Sequence, residues 1–341
     1  MSYIGLSAQK RRNNIKSTIL LFLFPALVIG LLYIFCFAYT FITFNPESLM
    51  EENTEYTKDY TEFNSSKVMD NIYPATLDMF ITTSPFVLGG VLIWFLLAYF
   101  FNTGIISAAT GSKSLSRQSN KRIYNLVENL CMSQGMSMPK IDVIEDDSLN
   151  AFASGINKKS YTVTLTRGII KKLDDQELEA VIAHELTHIR NRDVRTLIVS
   201  IVFVGIFSMI SSIALRMFIY GGNGGNSKDN KGNAYIIIVI LVLVISLVGY
   251  FFSILMRFAI SRQREYMADA GAAEMTKNPW ALASALRKIS ADPIVENVKR
   301  DDVAQLFISH PLEKKESFNF ISTVFATHPP IEKRIEFLEH L

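Results

Sequence analysis

The sequence predicts an α+β fold in a polytopic α-helical membrane protein, with about four transmembrane helices and a water-soluble domain of helices and short strands. Hydrophobic residues make up 49% of the 341-residue chain and its mean hydropathy is +0.23, which is too apolar for an ordinary soluble domain. Four long apolar runs explain this composition, and each is near or above the ~18–20 residues that cross a bilayer as a helix. They are residues 18–44, 85–101, 197–215 and 235–256.

The distribution of charge predicts the orientation of these spans. Residues 1–16 carry basic side chains and no acidic ones, residues 45–76 carry seven acidic side chains against two lysines, and the segment after the second run is basic again. The positive-inside rule therefore places both termini in the cytoplasm and the segments 45–76 and 221–233 outside. The net charge of +2 gives no sign of a nucleic-acid partner, so the expected surroundings are the lipid bilayer.

The predicted spans divide the chain into two membrane hairpins and two soluble segments. Because the second hairpin returns the chain to the same side, the soluble segments can form one cytoplasmic domain. The expected divisions are an N-terminal transmembrane hairpin over 1–103 with the acidic external loop 45–76, a first soluble part over 104–196, a second transmembrane hairpin over 197–256 and a second soluble part over 257–341.

Local patterns predict the first elements of the soluble domain. The segment 113–135 has an apolar helical face and ends at Gly135, a residue type that stops helices. Residues 140–145 and 161–166 alternate in polarity and are rich in β-branched side chains, so they predict strands. A short apolar segment between them, 149–155, predicts a third strand.

A longer helix is predicted to begin at Asp174, which forms a capping-box pattern with Glu177. No glycine or proline follows until Gly205, so we expect this helix to run unbroken into the third apolar run. Near the C-terminus, Pro330 is placed to open a final helix.

The predicted helix carries the motif HExxH at His184, Glu185 and His188. Residues four positions apart share one face of a helix, so both imidazoles can bind one metal ion, with Glu185 one step round. This motif on a helix is typical of zinc peptidases. A catalytic zinc site also needs a third protein ligand and one open coordination position.

Glu265 is the best candidate for the third ligand. It lies on a predicted helix that follows the fourth apolar run, and Asp269 lies one turn later on the same face. When the third and fourth runs form a hairpin, this helix and the HExxH helix leave the bilayer side by side. His188 and Glu265, which are 77 positions apart in the sequence, are then close in space.

The segments "HELTHIRNRD", "NAFASG", "EYMADAGAA" and "THPPIEKRI" resemble the HtpX-type membrane zinc metalloproteases, which are relatives of the eukaryotic CAAX prenyl endopeptidases. The resemblance covers residues 104–341. It implies a cytoplasmic zincin-like metallopeptidase domain with a gluzincin site. In that site His184, His188 and Glu265 hold one zinc ion per chain, and Glu185 is the catalytic base.

The residue types around this site suggest supporting roles. Asp269 and Asp193 are expected to orient the ligand imidazoles by accepting their second N–H. The oxyanion formed during peptide hydrolysis needs a further positive or hydrogen-bonding group. His328 and Arg334 are the candidates for it, and surface or capping roles are the alternative for both.

A substrate-binding strand is expected beside the metal. Asn150, Ala151, Phe152 and Ala153 could form an exposed edge strand that pairs with an extended peptide. The alternative is that these residues only fill the sheet.

The sequence therefore predicts a membrane zinc endopeptidase that cleaves membrane or misfolded proteins at the cytoplasmic face, in proteolytic quality control under stress. The expected location is a bacterial inner membrane. Two alternatives stay open. A CAAX-type processing protease would need more than four spans to enclose a chamber. A catalytically inactive scaffold with the protease fold would have no need of the intact motif and Glu265.

Overall fold

The computed structural model describes residues 6–44, 65–221, 238–251, 263–291, 306–308 and 329–341. The chain forms two compact units. One unit combines Met1–Leu21, Leu96–Val202 and Ile254–Leu341, and the other combines Phe22–Phe95 and Phe203–Ser253.

Parts of four long apolar helices make up the second unit. They are α1 (Leu6–Thr43), α2 (Ser65–Thr110), α6 (Asp193–Gly221) and α7 (Ile238–Phe251). Polar side chains join them in pairs. Thr40 and Thr76 are 2.7 Å apart between α1 and α2, and Ser211 and Ser246 are 3.0 Å apart between α6 and α7. Such hydrogen bonds hold apolar helices together where no hydrophobic force acts between them.

Two segments of the described residues are long and apolar enough to cross a membrane, Phe22–Thr43 and Val68–Thr110. Only 22% and 6% of their most apolar windows are buried inside the protein, unlike the core helix of a soluble domain. The described apolar stretches Gly205–Ile219 and Ile238–Phe251 are shorter. The count of four spans therefore stays a prediction.

The predicted start of the second apolar span at residue 85 is wrong. Helix α2 begins at Ser65, inside the expected acidic loop, and continues to Thr110 with Pro74 and Pro85 within it. Membrane helices tolerate proline in their interior, so Pro85 does not mark the start of the helix. The remainder of that loop, 45–64, lies outside the described residues.

The first unit contains a small mixed sheet in the strand order β1-β2-β4-β3. Its strands are β1 (Lys113–Ser114), β2 (Lys140–Ile144), β3 (Ala151–Ser154) and β4 (Thr162–Thr166). β2 and β4 are parallel, whereas β1 pairs with β2 and β3 pairs with β4 in antiparallel fashion. The two strands predicted from β-branched alternation and the third predicted from a short apolar segment are therefore confirmed.

The helix predicted over 113–135 is shorter than expected. Helix α3 spans Lys121–Ser133, because the side chain of Asn120 accepts a hydrogen bond from the backbone of Ile123 and caps the helix there. Residues 113–114 form β1 instead. Gly135 follows the helix with φ +61, the left-handed conformation typical of a helix end.

The helices of the first unit pack on one another and on the sheet around a buried apolar core. They are α4 (Arg167–Lys172), α5 (Asp175–Asn191), α8 (Gln263–Thr276), α9 (Pro279–Ile289) and α10 (Ile331–Glu339). The capping box of Asp174 and Glu177 at the start of α5 is present as predicted. Pro330 caps α10, also as predicted.

The prediction that the HExxH helix runs unbroken into the third apolar run is wrong. Helix α5 ends at Asn191, Arg192 adopts the left-handed conformation with φ 62 and ψ 23, and α6 begins at Asp193. Neither glycine nor asparagine stands at position 192, so the sequence lacks the residue types that usually adopt this conformation at a helix end.

Candidate active site

The HExxH motif lies in the buried part of α5. His184 and Glu185 are buried, and the side chain of His188 is 14% exposed. The rings of the two histidines meet edge to face, and their Nε2 atoms are 3.1 Å apart. The i, i+4 spacing therefore brings both imidazoles to one point, as a shared metal requires.

Helix α8 brings Glu265 to the same point. Its Oε2 atom lies 3.7 Å from Nε2 of His184, and its Oε1 atom lies 3.7 Å from Nε2 of His188. The three ligand atoms offered by these residues all lie within 4.8 Å of one another. α5 and α8 pack directly against each other. His188 and Glu265 are therefore close in space although they are 77 positions apart in the sequence.

These three residues fit a zinc ion. Zinc bound tetrahedrally at ~2.0–2.1 Å by nitrogen and oxygen atoms separates its ligand atoms by about 3.3 Å, which is close to the distances of 3.1 and 3.7 Å observed. Two histidines and a carboxylate also leave one of four positions open for water or substrate.

A carboxylate fixes the outer nitrogen of each histidine. Nδ1 of His184 lies 2.9 Å from Oδ1 of Asp269, and Nδ1 of His188 lies 3.1 Å from Oδ2 of Asp193. Both aspartates are buried. Because a carboxylate accepts the Nδ1 proton, each Nε2 atom is left with a lone pair that faces the centre.

The electrostatic balance of the site favours a cation. Burial lowers the pKa of His184, so its imidazole is neutral and able to bind a metal. Burial also lowers the pKa of His188, but Glu265, Asp193 and Glu185 outweigh it and raise this pKa to about 9. The surplus of carboxylates therefore attracts a positive charge to the point between the histidines.

Glu185 follows His184 on α5 and interacts electrostatically with His188 and Glu265. Burial raises its pKa to about 7, and a hydrogen bond from the backbone of Ala153 partly opposes this shift. A carboxyl whose pKa lies near neutrality can both accept and release a proton at the working pH.

Arg334 reaches the site from α10 and is buried completely. Its Nε and Nη2 atoms donate to the two oxygens of Asp269 at 2.9 and 2.7 Å, and its Nη1 atom donates to the backbone oxygen of Ile308 at 3.2 Å. Nη1 also lies 3.7 Å from Oε2 of Glu265. The guanidinium lowers the pKa of Asp269 although burial raises it. Arg334 is thus engaged with the metal-binding side of the site, and its predicted role toward the oxyanion stays a prediction.

The predicted substrate strand is at the edge of the sheet but is not exposed. Ala151, Phe152 and Ala153 of β3 are buried, as is Asn150 before it. The free edge is covered by the segment Leu306–Ile308, because Phe152 and Phe307 form an antiparallel bridge.

Two direct contacts hold this segment in place. The backbone N–H of Ile308 donates to the oxygen of Ala151 at 2.8 Å, and the rings of Phe152 and Phe307 are 4.6 Å apart. The expected exposure was wrong because this cover comes from a part of the chain more than 150 residues away in sequence.

His328 lies outside the described residues, so its predicted role stays a prediction. Sequence reasoning also missed Gly271, where α8 touches α5. A Cβ atom there would lie 2.5 Å from Cγ2 of Thr187, so only glycine lets the two helices approach this closely. The signal was available in the run of small residues "ADAGAA" around it.

Comparison with known proteins identifies relatives of the chain. The model of Peptidase family M48 matches residues 117–341. A protease HtpX homolog from Bacteroides fragilis is 60% identical over 340 residues, which are 99% of both chains. A protease HtpX homolog from Dictyoglomus thermophilum is 39% identical over 289 residues, which are 80% of this chain and 91% of the relative.

A solved structure is also similar. The crystal structure of S. mikatae Ste24p matches with a TM-score of 0.46 and 19% sequence identity, over 74% of this chain and 58% of that one. The family model covers most of the chain and every residue of the described site. The chain therefore belongs to peptidase family M48, as its resemblance to the HtpX-type proteases predicted.

Proposed function

We propose that this peptidase is a zinc-dependent endopeptidase of the membrane that cleaves membrane or misfolded proteins at the cytoplasmic face. The observation that carries the proposal is the convergence of His184, His188 and Glu265 within 4.8 Å, with Glu185 beside them on α5. One zinc ion per chain is held by the three converging residues. Bound there, zinc would polarise the scissile carbonyl and lower the pKa of a water molecule.

Glu185 moves the protons of the reaction. Its carboxylate takes a proton from the attacking water and passes it to the departing amine. The pKa of about 7 that burial gives this group suits both transfers, because neither the charged nor the neutral form is strongly favoured near neutral pH. The backbone of Ala153 orients the carboxylate from the side of β3.

Asp269 and Asp193 hold the two imidazoles in the orientation and tautomer that bind the metal. Arg334 compensates the charge of Asp269, to which it donates two hydrogen bonds. We retain Arg334 and His328 as candidates for the group that stabilises the oxyanion. Nη2 of Arg334 lies 3.4 Å from Nε2 of His184, and Nη1 lies 3.7 Å from Oε2 of Glu265, so both atoms are close to the proposed metal position.

The substrate backbone is proposed to lie along β3, whose edge adjoins Glu185 through Ala153. Substrates that bind zincin-like sites in extended form pair with an edge strand. A peptide that paired with Ala151 would take the place of Ile308, which now donates to that carbonyl.

The proposed membrane arrangement has four spans, with the catalytic domain split between 104–196 and 257–341. Its support is the basic, acidic and basic alternation of charge along the first 122 residues, together with the compact unit that joins Leu96–Val202 to Ile254–Leu341. The bacterial relatives make a bacterial inner membrane the proposed location. The lipid bilayer then surrounds the helices of the second unit.

Hydrolysis of casein by the full chain in detergent tests the reaction. We expect activity that a chelator abolishes and added zinc restores. Absence of hydrolysis in protein that retains zinc would favour an inactive scaffold, and cleavage of a farnesylated peptide alone would favour a CAAX-type processing role. Natural substrates would be identified by mass spectrometry of membrane proteins that accumulate in a Glu185→Gln strain.

A further inference from the structure

The junction between α5 and α6 is an unusual helix end. Arg192 stands there with φ 62, a left-handed backbone conformation that costs L-residues other than glycine free energy. Its backbone N–H donates to the oxygens of His188 and Ile189, which closes the last turn of α5. The chain then enters α6 at Asp193.

The helix end at Arg192 coincides with a close approach of Asp193 to His188. In an uninterrupted α-helix, a residue five positions after His188 would lie roughly 140° around the axis and about 7.5 Å farther along it. Its side chain would point away from the His188 ring. In the structure Oδ2 of Asp193 lies 3.1 Å from Nδ1 of His188, and Asp193 is buried.

The side chain of Arg192 does not take part in this arrangement. It is exposed, and its Nη1 atom donates to Oδ1 of Asn14 at 2.9 Å. The feature of Arg192 that accompanies the approach of Asp193 to His188 is therefore its backbone conformation and not its charge.

We propose that Arg192 is a positioning residue for the metal centre, which acts through its left-handed backbone to set Asp193 against Nδ1 of His188. The inference rests on the proposed zinc site and adds a requirement to it: the HExxH helix must end where it does. A substitution at position 192 should therefore change zinc affinity according to whether the new residue tolerates positive φ, and not according to its charge.

Zinc affinity of the full chain in detergent, measured by competition with a chelating dye, tests this directly. Arg192→Gly and Arg192→Asn lose the charge but accept the left-handed conformation. We expect both to bind zinc within about threefold of the wild type. Arg192→Val disfavours positive φ, and we expect it to bind zinc ~10–100-fold more weakly, the usual cost of losing a partner of a ligand histidine. Asp193→Asn should weaken binding by a similar factor.

The double variant separates positioning from a general loss of structure. Once Asp193→Asn has removed the carboxylate, Arg192→Val has no contact left to disrupt, so we expect no further loss of zinc affinity. The melting temperature of the metal-free proteins is recorded beside each affinity. If Arg192→Val does not fold, Arg192→Ala gives the same comparison with less strain.

Wild-type zinc affinity in Arg192→Val would overturn the proposal, and so would a loss of zinc affinity in Arg192→Gly as large as that in Arg192→Val. A further loss of zinc affinity when Arg192→Val is added to Asp193→Asn would also overturn it. None of these results would contradict the proposed zinc site itself. A wild-type chain that binds no zinc would instead overturn the proposed metal site, and this inference with it.

Discussion

Asp269 on α8 accepts two hydrogen bonds from Arg334 on α10, at 2.9 and 2.7 Å, and both side chains are buried completely. The same carboxylate lies 2.9 Å from Nδ1 of His184. Arg334 therefore connects the C-terminal helix to a histidine of the HExxH motif 150 residues earlier in the chain.

Replacement of Arg334 by methionine should destabilise the fold strongly. The carboxylate of Asp269 would remain buried without its cation, and breaking a buried ion pair costs about 3–5 kcal/mol. The free energy of unfolding of the metal-free protein in denaturant measures this cost.

Arg287→Met is the matched control for Arg334→Met. Arg287 pairs with Glu339, the last residue of α10, and its side chain is half exposed. Exposed ion pairs of this kind contribute roughly 0–1 kcal/mol. Equal losses of stability in the two variants would show that the buried pair of Arg334 and Asp269 contributes no more to the free energy of unfolding than an exposed pair does.

Glu265→Ala should reduce zinc affinity by more than the ~10–100-fold cost of losing an outer partner of a ligand, because it removes a ligand itself. Metal analysis of the purified variant measures the zinc that remains. Glu274→Ala is the control on the same helix, since that carboxylate is about half exposed and contacts Arg190 at 3.5 Å. Full zinc occupancy in Glu265→Ala would contradict the assignment of the third ligand.

Gly271→Ala should separate α5 from α8. The added Cβ would lie 2.5 Å from Cγ2 of Thr187, which is buried and holds its hydroxyl against the oxygen of Ala183. Overpacking of this kind typically costs about 1–3 kcal/mol, and the displacement should also lower zinc affinity.

A second substitution tests whether this contact is the cause. Thr187→Ala removes the atoms that the new methyl group meets, so the double variant Gly271→Ala, Thr187→Ala should recover stability and zinc affinity relative to Gly271→Ala alone. If the second substitution adds its own loss instead, the close approach at Gly271 does not explain the effect.

The sequence predicted the convergence of His184, His188 and Glu265 because its signals are local. The spacing of His184 and His188 on a helix, and the placement of Glu265 and Asp269 one turn apart on another, depend only on helical geometry. The adjacency of the two helices came from the expectation of a membrane hairpin between them. In the structure α5 and α8 pack against each other.

The features that the sequence did not predict depend on the tertiary fold. The helix end at Arg192 has no glycine to mark it, since surrounding contacts can hold a strained residue in place. The cover over β3 comes from Phe307, and the burial of Arg334 comes from packing of α10 on distant helices. Periodicity reports which face of an element is apolar, but not which remote segment covers it.

Membrane topology gives a prediction that depends on charge alone. In a chain with Cys36 and Cys131 replaced by serine, a cysteine introduced at Tyr60 should react with a membrane-impermeant maleimide in intact cells. A cysteine introduced at Asn120 should react only after lysis, because the basic segments mark the cytoplasmic side. The opposite pattern of labelling would move the active site outside the cell.

The most direct test of the account compares zinc content and proteolysis in two variants of neighbouring residues. Glu185→Gln keeps the shape of the side chain and removes the base, so we expect it to retain zinc and to lose ~10²–10⁴-fold in casein hydrolysis. His184→Ala removes a ligand, so zinc and activity should be lost together. Proteolysis at the wild-type rate by zinc-loaded Glu185→Gln would contradict the central claim that Glu185 is the base.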